Sequence, residues 1–185
     1  DRVSRGLGDV YKRQELSDLD NIIYVNVDFA NQSVSERLID AGFDQTKSSI
    51  FTLEGVTQYI AKDAFNSTMS EIAKLTHGTQ AIFFLSYVDE LLNQNPEACF
   101  GNGYPNPAKK ASLIQNLSAK AADEPWISFY SPKEMKDTLS NNGFSLLADK
   151  VFSDVNVEYF GPVGRTLSEN QIFNLEHFVV AEIID

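Results

Sequence analysis

Two carboxylates in this sequence stand where an apolar run gives way to a turn. Ile50-Phe51-Thr52-Leu53 runs into Glu54-Gly55, and Val25-Asn26-Val27 runs into Asp28-Phe29. In an open α/β sheet, ligands sit outside the carboxyl ends of the strands. An acid there can face a cation or accept from a donor, and Gly55, with no side chain, lets a ligand or a backbone come close. The alternative for Asp28 is a cap on the turn into the next helix, and for Glu54 a solvated turn carboxylate. Tyr59 can close over such an edge, present its hydroxyl, or pack at the start of a helix. Trp126, Phe129 and Tyr130 are candidates for the wall of a substrate pocket, although aromatics before a helix more often pack. Arg165 has the fork that clamps a carboxylate by two parallel hydrogen bonds; a surface arginine is the commoner case.

Composition bounds the chemistry. The 185 residues suffice for one domain with a real core, and 43% apolar with 11% aromatic residues is a globular composition. Formal net charge is −11, and residues 1–14 hold four of the basic residues and two of the acids, which leaves 11 basic against 24 acidic residues beyond them. Such a surface repels phosphate backbones, so nucleic acid is an unsuitable partner. One cysteine, Cys99, excludes an internal disulfide and a thiolate cluster, and His77 and His177 are too few for a zinc site. The longest apolar run, Ala81 to Leu85, is too short to span a bilayer, and no secretory signal opens the sequence. The expectation is a cytoplasmic protein without metal.

The elements that must position these residues follow from periodicity. Ile22 to Val27 reads as a buried strand ending at Asp28. Ser33 to Ala41 reads as a short helix with a Ser33/Glu36 capping box, stopped by Gly42. Ser49–Leu53 is the next strand, Ala61–Thr76 a helix with Phe65, Met69 and Ile72 on one face, and Ala81–Val88 a central strand, apolar on both faces. Residues 89–122 form an excursion of lid-like length on the carboxyl side. Ser131–Asn142 is a helix capped by Ser131, with Pro132 in its first turn. Phe144–Phe152 and His177–Ile184 read as two strands that pair antiparallel, the second interior. The pattern is α/β, three-layered, with a mostly parallel sheet. Residues 1–14 differ in character from the remainder and read as a non-native tail, leaving 15–185 as one domain.

Three blocks, Val25-Asn26-Val27-Asp28-Phe29, Ala41-Gly42-Phe43-Asp44 and Leu53-Glu54-Gly55-Val56-Thr57-Gln58-Tyr59-Ile60, resemble in order and spacing the bacterial branch of the leucine carboxyl methyltransferase family. Ser131-Pro132-Lys133-Glu134-Met135, Asn142-Gly143-Phe144 and Glu176-His177-Phe178-Val179-Val180-Ala181 agree with it. The resemblance implies a class I methyltransferase (Rossmann-like) fold with an antiparallel C-terminal hairpin, S-adenosyl-L-methionine as cofactor, and a small-molecule or peptide carboxylate as methyl acceptor. It implies that Asp28 and Phe29 meet the adenine, that Glu54 and Gly55 face the cationic methionyl part, and that Tyr59 stands by the transferred methyl. Trp126 and Arg165 are the substrate-side candidates.

The family's first strand, glycine-rich loop and ribose acid find no counterpart in residues 1–20, so the resemblance leads to an N-terminally truncated fragment, inactive alone, as the expectation. A non-catalytic α/β binding module is the alternative. A dinucleotide domain using Gly6-Leu7-Gly8 fails because no strand precedes Gly6.

Overall fold

The computed structural model describes residues 21–29, 31–121 and 125–184. Residues 1–14, read from sequence as a tail, lie outside them. Helix α1 spans Val34–Asp40, with the Ser33 hydroxyl accepting from the Glu36 N–H at its start. Strand β1 (Ser49–Leu53) leads through a 3-10 turn at Thr57–Tyr59 into α2 (Lys62–Leu75), and β2 covers Ala81–Val88. The 89–121 excursion holds α3 (Leu91–Gln94), a 3-10 turn at Pro96–Cys99 and α4 (Pro107–Ala121). Helix α5 (Pro132–Asn141) precedes β3 (Phe144–Val151), and α6 (Phe152–Val155) and a π turn (Asn156–Phe160) begin the long return to β4 (Glu176–Ile183).

The sheet order is β1-β2-β4-β3. β1 and β2 are parallel, with Ser49 opposite Ala81 and Leu53 opposite Leu85. β4 lies antiparallel between β2 and β3, which places the more apolar of the two C-terminal strands inside, as its composition requires. Strand alternation sends Phe83, Leu85, Tyr87, Val179 and Ala181 to one face. There they join Phe65, Met69 and Ile72 of α2 and Met135 and Leu139 of α5 in the main core. Phe51 of β1 stacks on Phe83 at 5.9 Å, extending this core to the sheet edge. On the opposite face, Phe84, Phe178 and Val180 line a 320 Å³ apolar cavity with Phe152, Val155 and Tyr159. A second buried cluster, with Val88, Leu92, Phe100 and Leu175, fastens the excursion to the carboxyl end of β2.

One expected element is absent from the sheet. Residues 22–28 run irregularly, and Ile22, Ile23 and Tyr24 are 39, 69 and 47% exposed. β-branched and aromatic residues favour a strand when a half-buried pleated surface receives them; among the described residues the sheet ends at β1 and does not extend to this stretch. Its position is held instead by α1, where Arg37 Nε donates to the Asn26 carbonyl.

Candidate functional site

The end of β1 is built as its sequence suggests. Gly55 has φ +66°, a left-handed conformation that strains any residue with a Cβ. Its N–H donates to Ser86 Oγ at 2.9 Å, and Thr57 Oγ1 donates to the Ser86 carbonyl at 2.8 Å, so the Glu54–Thr57 turn is stapled to β2. Glu54 itself is exposed beside this staple. Thr57 and Gln58 are buried, and Tyr59 is half-buried on the 3-10 turn, its N–H donating to the Val56 carbonyl.

Asp28 stands in the turn leading to α1. Its carbonyl accepts from the N–H groups of Asn31 and Gln32, its own N–H donates to Gln32 Oε1, and its carboxylate accepts from Asn31 Nδ2 at 2.8 Å. The carboxylate thus braces the turn into α1, while Ser33 caps the helix itself. Phe29, Asn31, Gln32 and Ser33 form one wall of a 520 Å³ cleft whose other wall is Ala61, Asp63, Ala64, Ser67 and Glu71 of α2 and its entry. Ser33 Oγ and the Ser35 N–H both donate to Glu71, tying the two walls together. Partial burial would raise the Glu71 carboxyl pKa, but these donors outweigh it and hold it below its ordinary value. Because α2 begins just after β1 ends, this cleft opens at the carboxyl edge of the sheet. Phe29 lines it; Asp28, Glu54 and Gly55 do not.

The remaining candidates lie elsewhere. Trp126 is half-buried against Phe129 in the cluster beneath the excursion, and its indole N–H is buried without a hydrogen-bond partner. The segment it opens is pinned to the edge: Ile127 and Ser128 N–H groups donate to the Gln58 carbonyl, and Tyr130 N–H to the Val88 carbonyl. Arg165 is exposed in the connection after the π turn. Among the described residues no group of three or more His, Cys, Asp or Glu side chains is arranged to hold a metal.

Sequence reasoning missed the most ordered polar group of the edge. His177 of β4 lies between two carboxylates, with Nδ1 2.7 Å from Asp149 and Nε2 3.1 Å from Asp89, and it stacks on Tyr87 at 4.6 Å. The Tyr87 hydroxyl donates to Asp149 at 2.8 Å. Burial would depress the histidine pKa, but hydrogen bonds and charge attraction from Asp149 and Asp89 raise it to about 9. The signal was present in the alternation, which puts Tyr87, His177, Val179 and Ala181 on one face, and hence a histidine at an inward position.

Residues 9–73 match the family model of leucine carboxyl methyltransferase. The resemblance read from sequence is borne out over that stretch. The match begins at residue 9, inside the segment set apart as a tail, and it contains Asp28, Phe29, Glu54, Gly55 and Tyr59. No match was found among curated proteins. Solved structures show the fold. A putative methyltransferase from Thermobifida fusca is 14% identical, with a TM-score of 0.61, over 95% of this chain and 59% of its own. An S-adenosylmethionine-dependent methyltransferase from Mesorhizobium loti is 12% identical, with a TM-score of 0.57, over 94% and 76%. Mycolic acid cyclopropane synthase CmaA1, complexed with SAH and CTAB, is 10% identical, with a TM-score of 0.54, over 94% and 65%. The fold is therefore that of part of a class I, Rossmann-like methyltransferase, and the chain spans about 60% of the first of these neighbours. Among the described residues no helix is long and apolar enough to cross a membrane.

Proposed function

We propose that this protein is an S-adenosyl-L-methionine-dependent O-methyltransferase whose acceptor is a carboxylate of a small molecule or peptide. The observation that carries the reading is the 520 Å³ cleft at the carboxyl edge, lined by Phe29 and the start of α2, within the stretch that matches the family model. The cleft fits the cofactor in chemistry as well as size: an aromatic side chain on one wall suits the adenine, and acids at its rim suit a cation. Phe29 and the Asp28 turn would hold the base, and Glu54 and Gly55 the methionyl end. When bound, the cofactor supplies a methyl group already activated on a sulfonium.

The work left to the chain is alignment and exclusion of water, where effective molarity contributes on the order of 7–11 kcal/mol. A carboxylate acceptor is already a nucleophile, so the reaction needs no general base. Tyr59, half-buried after the Gly55 turn, positions the acceptor against the methyl; Trp126 and Arg165, the substrate-side candidates from sequence, lie away from this cleft.

Titrating S-adenosylhomocysteine to millimolar concentration into the isotopically labelled chain tests the cofactor site. Amide shifts should concentrate at residues 28–33 and 54–64 and shrink in Glu54→Ala. Shifts confined to the Phe84/Phe178 cavity, or none at all, would remove the assignment.

A further inference from the structure

We propose that His177 is a positioning residue for the carboxyl edge. As an imidazolium it clasps Asp89 at the tip of β2 and Asp149 on β3, and losing its proton frees Asp89 and the covering segment that starts there. The functional meaning rests on the edge being the methyl-transfer site; the clasp stands on its own geometry.

Asp89 and His177 are 5% and 7% exposed, so neither exchanges its partner for bulk water. Asp89 is also the first residue of the excursion. Its N–H donates to the Leu175 carbonyl, its Oδ1 accepts from the Leu91 N–H, and the next residue, Glu90, donates to the Tyr130 carbonyl. Three segments therefore meet at Asp89 and Glu90: β2, the excursion, and the Trp126–Tyr130 stretch.

The titratable groups facing the ring are Tyr87 and Asp89 from β2 and Asp149 from β3; Cys99 of the excursion faces Asp89, and burial with that charge raises its thiol pKa to about 11. The tyrosine stays protonated, because burial and Asp149 both raise its pKa. Proton loss within this group therefore falls on His177.

A neutral imidazole has one N–H and cannot donate to two carboxylates. The shorter contact, from Nδ1 to Asp149, is the one it keeps. The Nε2 lone pair then faces the Asp89 carboxylate, which retains only the Leu91 N–H as a donor. A buried carboxylate facing a lone pair turns outward to water, and α3 must move with it.

The sequence holds two histidines, so side-chain nitrogen spectra of the 185-residue chain resolve both, and His77→Gln assigns them. At about pH 8, His177 should carry protons on both ring nitrogens. Between about pH 8 and 10, amide exchange at Leu91–Asn95 should accelerate at least tenfold beyond that of α5. Asp149→Asn should move the His177 transition down by a pH unit or more. If that variant fails to fold, Tyr87→Phe, which removes one donor to Asp149, should change the pH at which the excursion loosens. A neutral His177 at about pH 7, or an excursion whose exchange tracks α5 throughout, would overturn the proposal. Neither readout involves the cofactor, so this failure is distinct from a failed S-adenosylhomocysteine titration.

Discussion

The two acidic regions of the carboxyl edge are built in opposite ways. Asp28 and Glu54, at the β1 side, are exposed acids on short turns whose backbone is fixed by local bonds and by the Ser86 staple. Asp89 and Asp149, at the β4 side, are nearly or partly buried acids, held by one histidine and a tyrosine from different strands. The first pair lies at the surface, where Asp28 braces its own turn through Asn31, whereas the second has its hydrogen-bonding capacity committed between strands. A carboxylate that serves recognition must keep an open lone pair, and one that fixes geometry must not. The difference separates the exposed acids that the proposed function assigns to the cofactor from the buried frame at the β4 side.

Mutations should sharpen that contrast. Removing His177 leaves two neighbouring buried carboxylates uncompensated, so His177→Ala should lower unfolding free energy by about 3–5 kcal/mol in urea titrations. Glu54→Ala, at an exposed site, should change stability by no more than about 0.5 kcal/mol. A large loss at Glu54, or a small one at His177, would reverse the assignment of frame and ligand side.

Stability should also depend on pH through the histidine on this side, with Cys99 adding only above about pH 9. Its folded pKa lies above its unfolded value, so its contribution is complete below about 6.5 and is lost as pH rises through about 9. By linkage this amounts to about 3 kcal/mol. A flat profile from about pH 6 to 10 would mean that the ring is neutral in the fold.

Smaller effects belong to the β1 side. Ser33→Ala removes both the α1 cap and a donor to Glu71, and should cost about 1 kcal/mol without disturbing the β4 side. β1 is a sheet edge among the described residues, with Ile50 77% exposed, so the chain should self-associate and Ile50→Lys should reduce this in sedimentation experiments.

What could be read from sequence divides along the same line. β1, β2, α2 and α5 were legible because apolar period, Ser131, Pro132 and the glycine stops all pointed one way. The antiparallel hairpin was legible because Phe178-Val179-Val180-Ala181 is too apolar for an edge. Ile22–Val27 was misjudged because strand propensity needs a neighbour, and a local pattern does not supply one. The clasp was hidden for a related reason: Asp89, Asp149 and His177 are up to 88 residues apart, and only strand pairing brings them together. Asp28 and Glu54 stood out as candidates because an acid at the end of an apolar run is a local feature.

The proposed function places the methyl donor in the cleft between the Phe29–Ser33 turn and the start of α2. Ultraviolet crosslinking of S-adenosylmethionine labelled in its methyl group, followed by peptide mapping, tests it most directly. The label should fall on the peptides containing Phe29 and Tyr59, and excess S-adenosylhomocysteine should suppress it. Label confined to peptides lining the opposite-face cavity, with Phe84, Tyr159 or Phe178, would contradict the account.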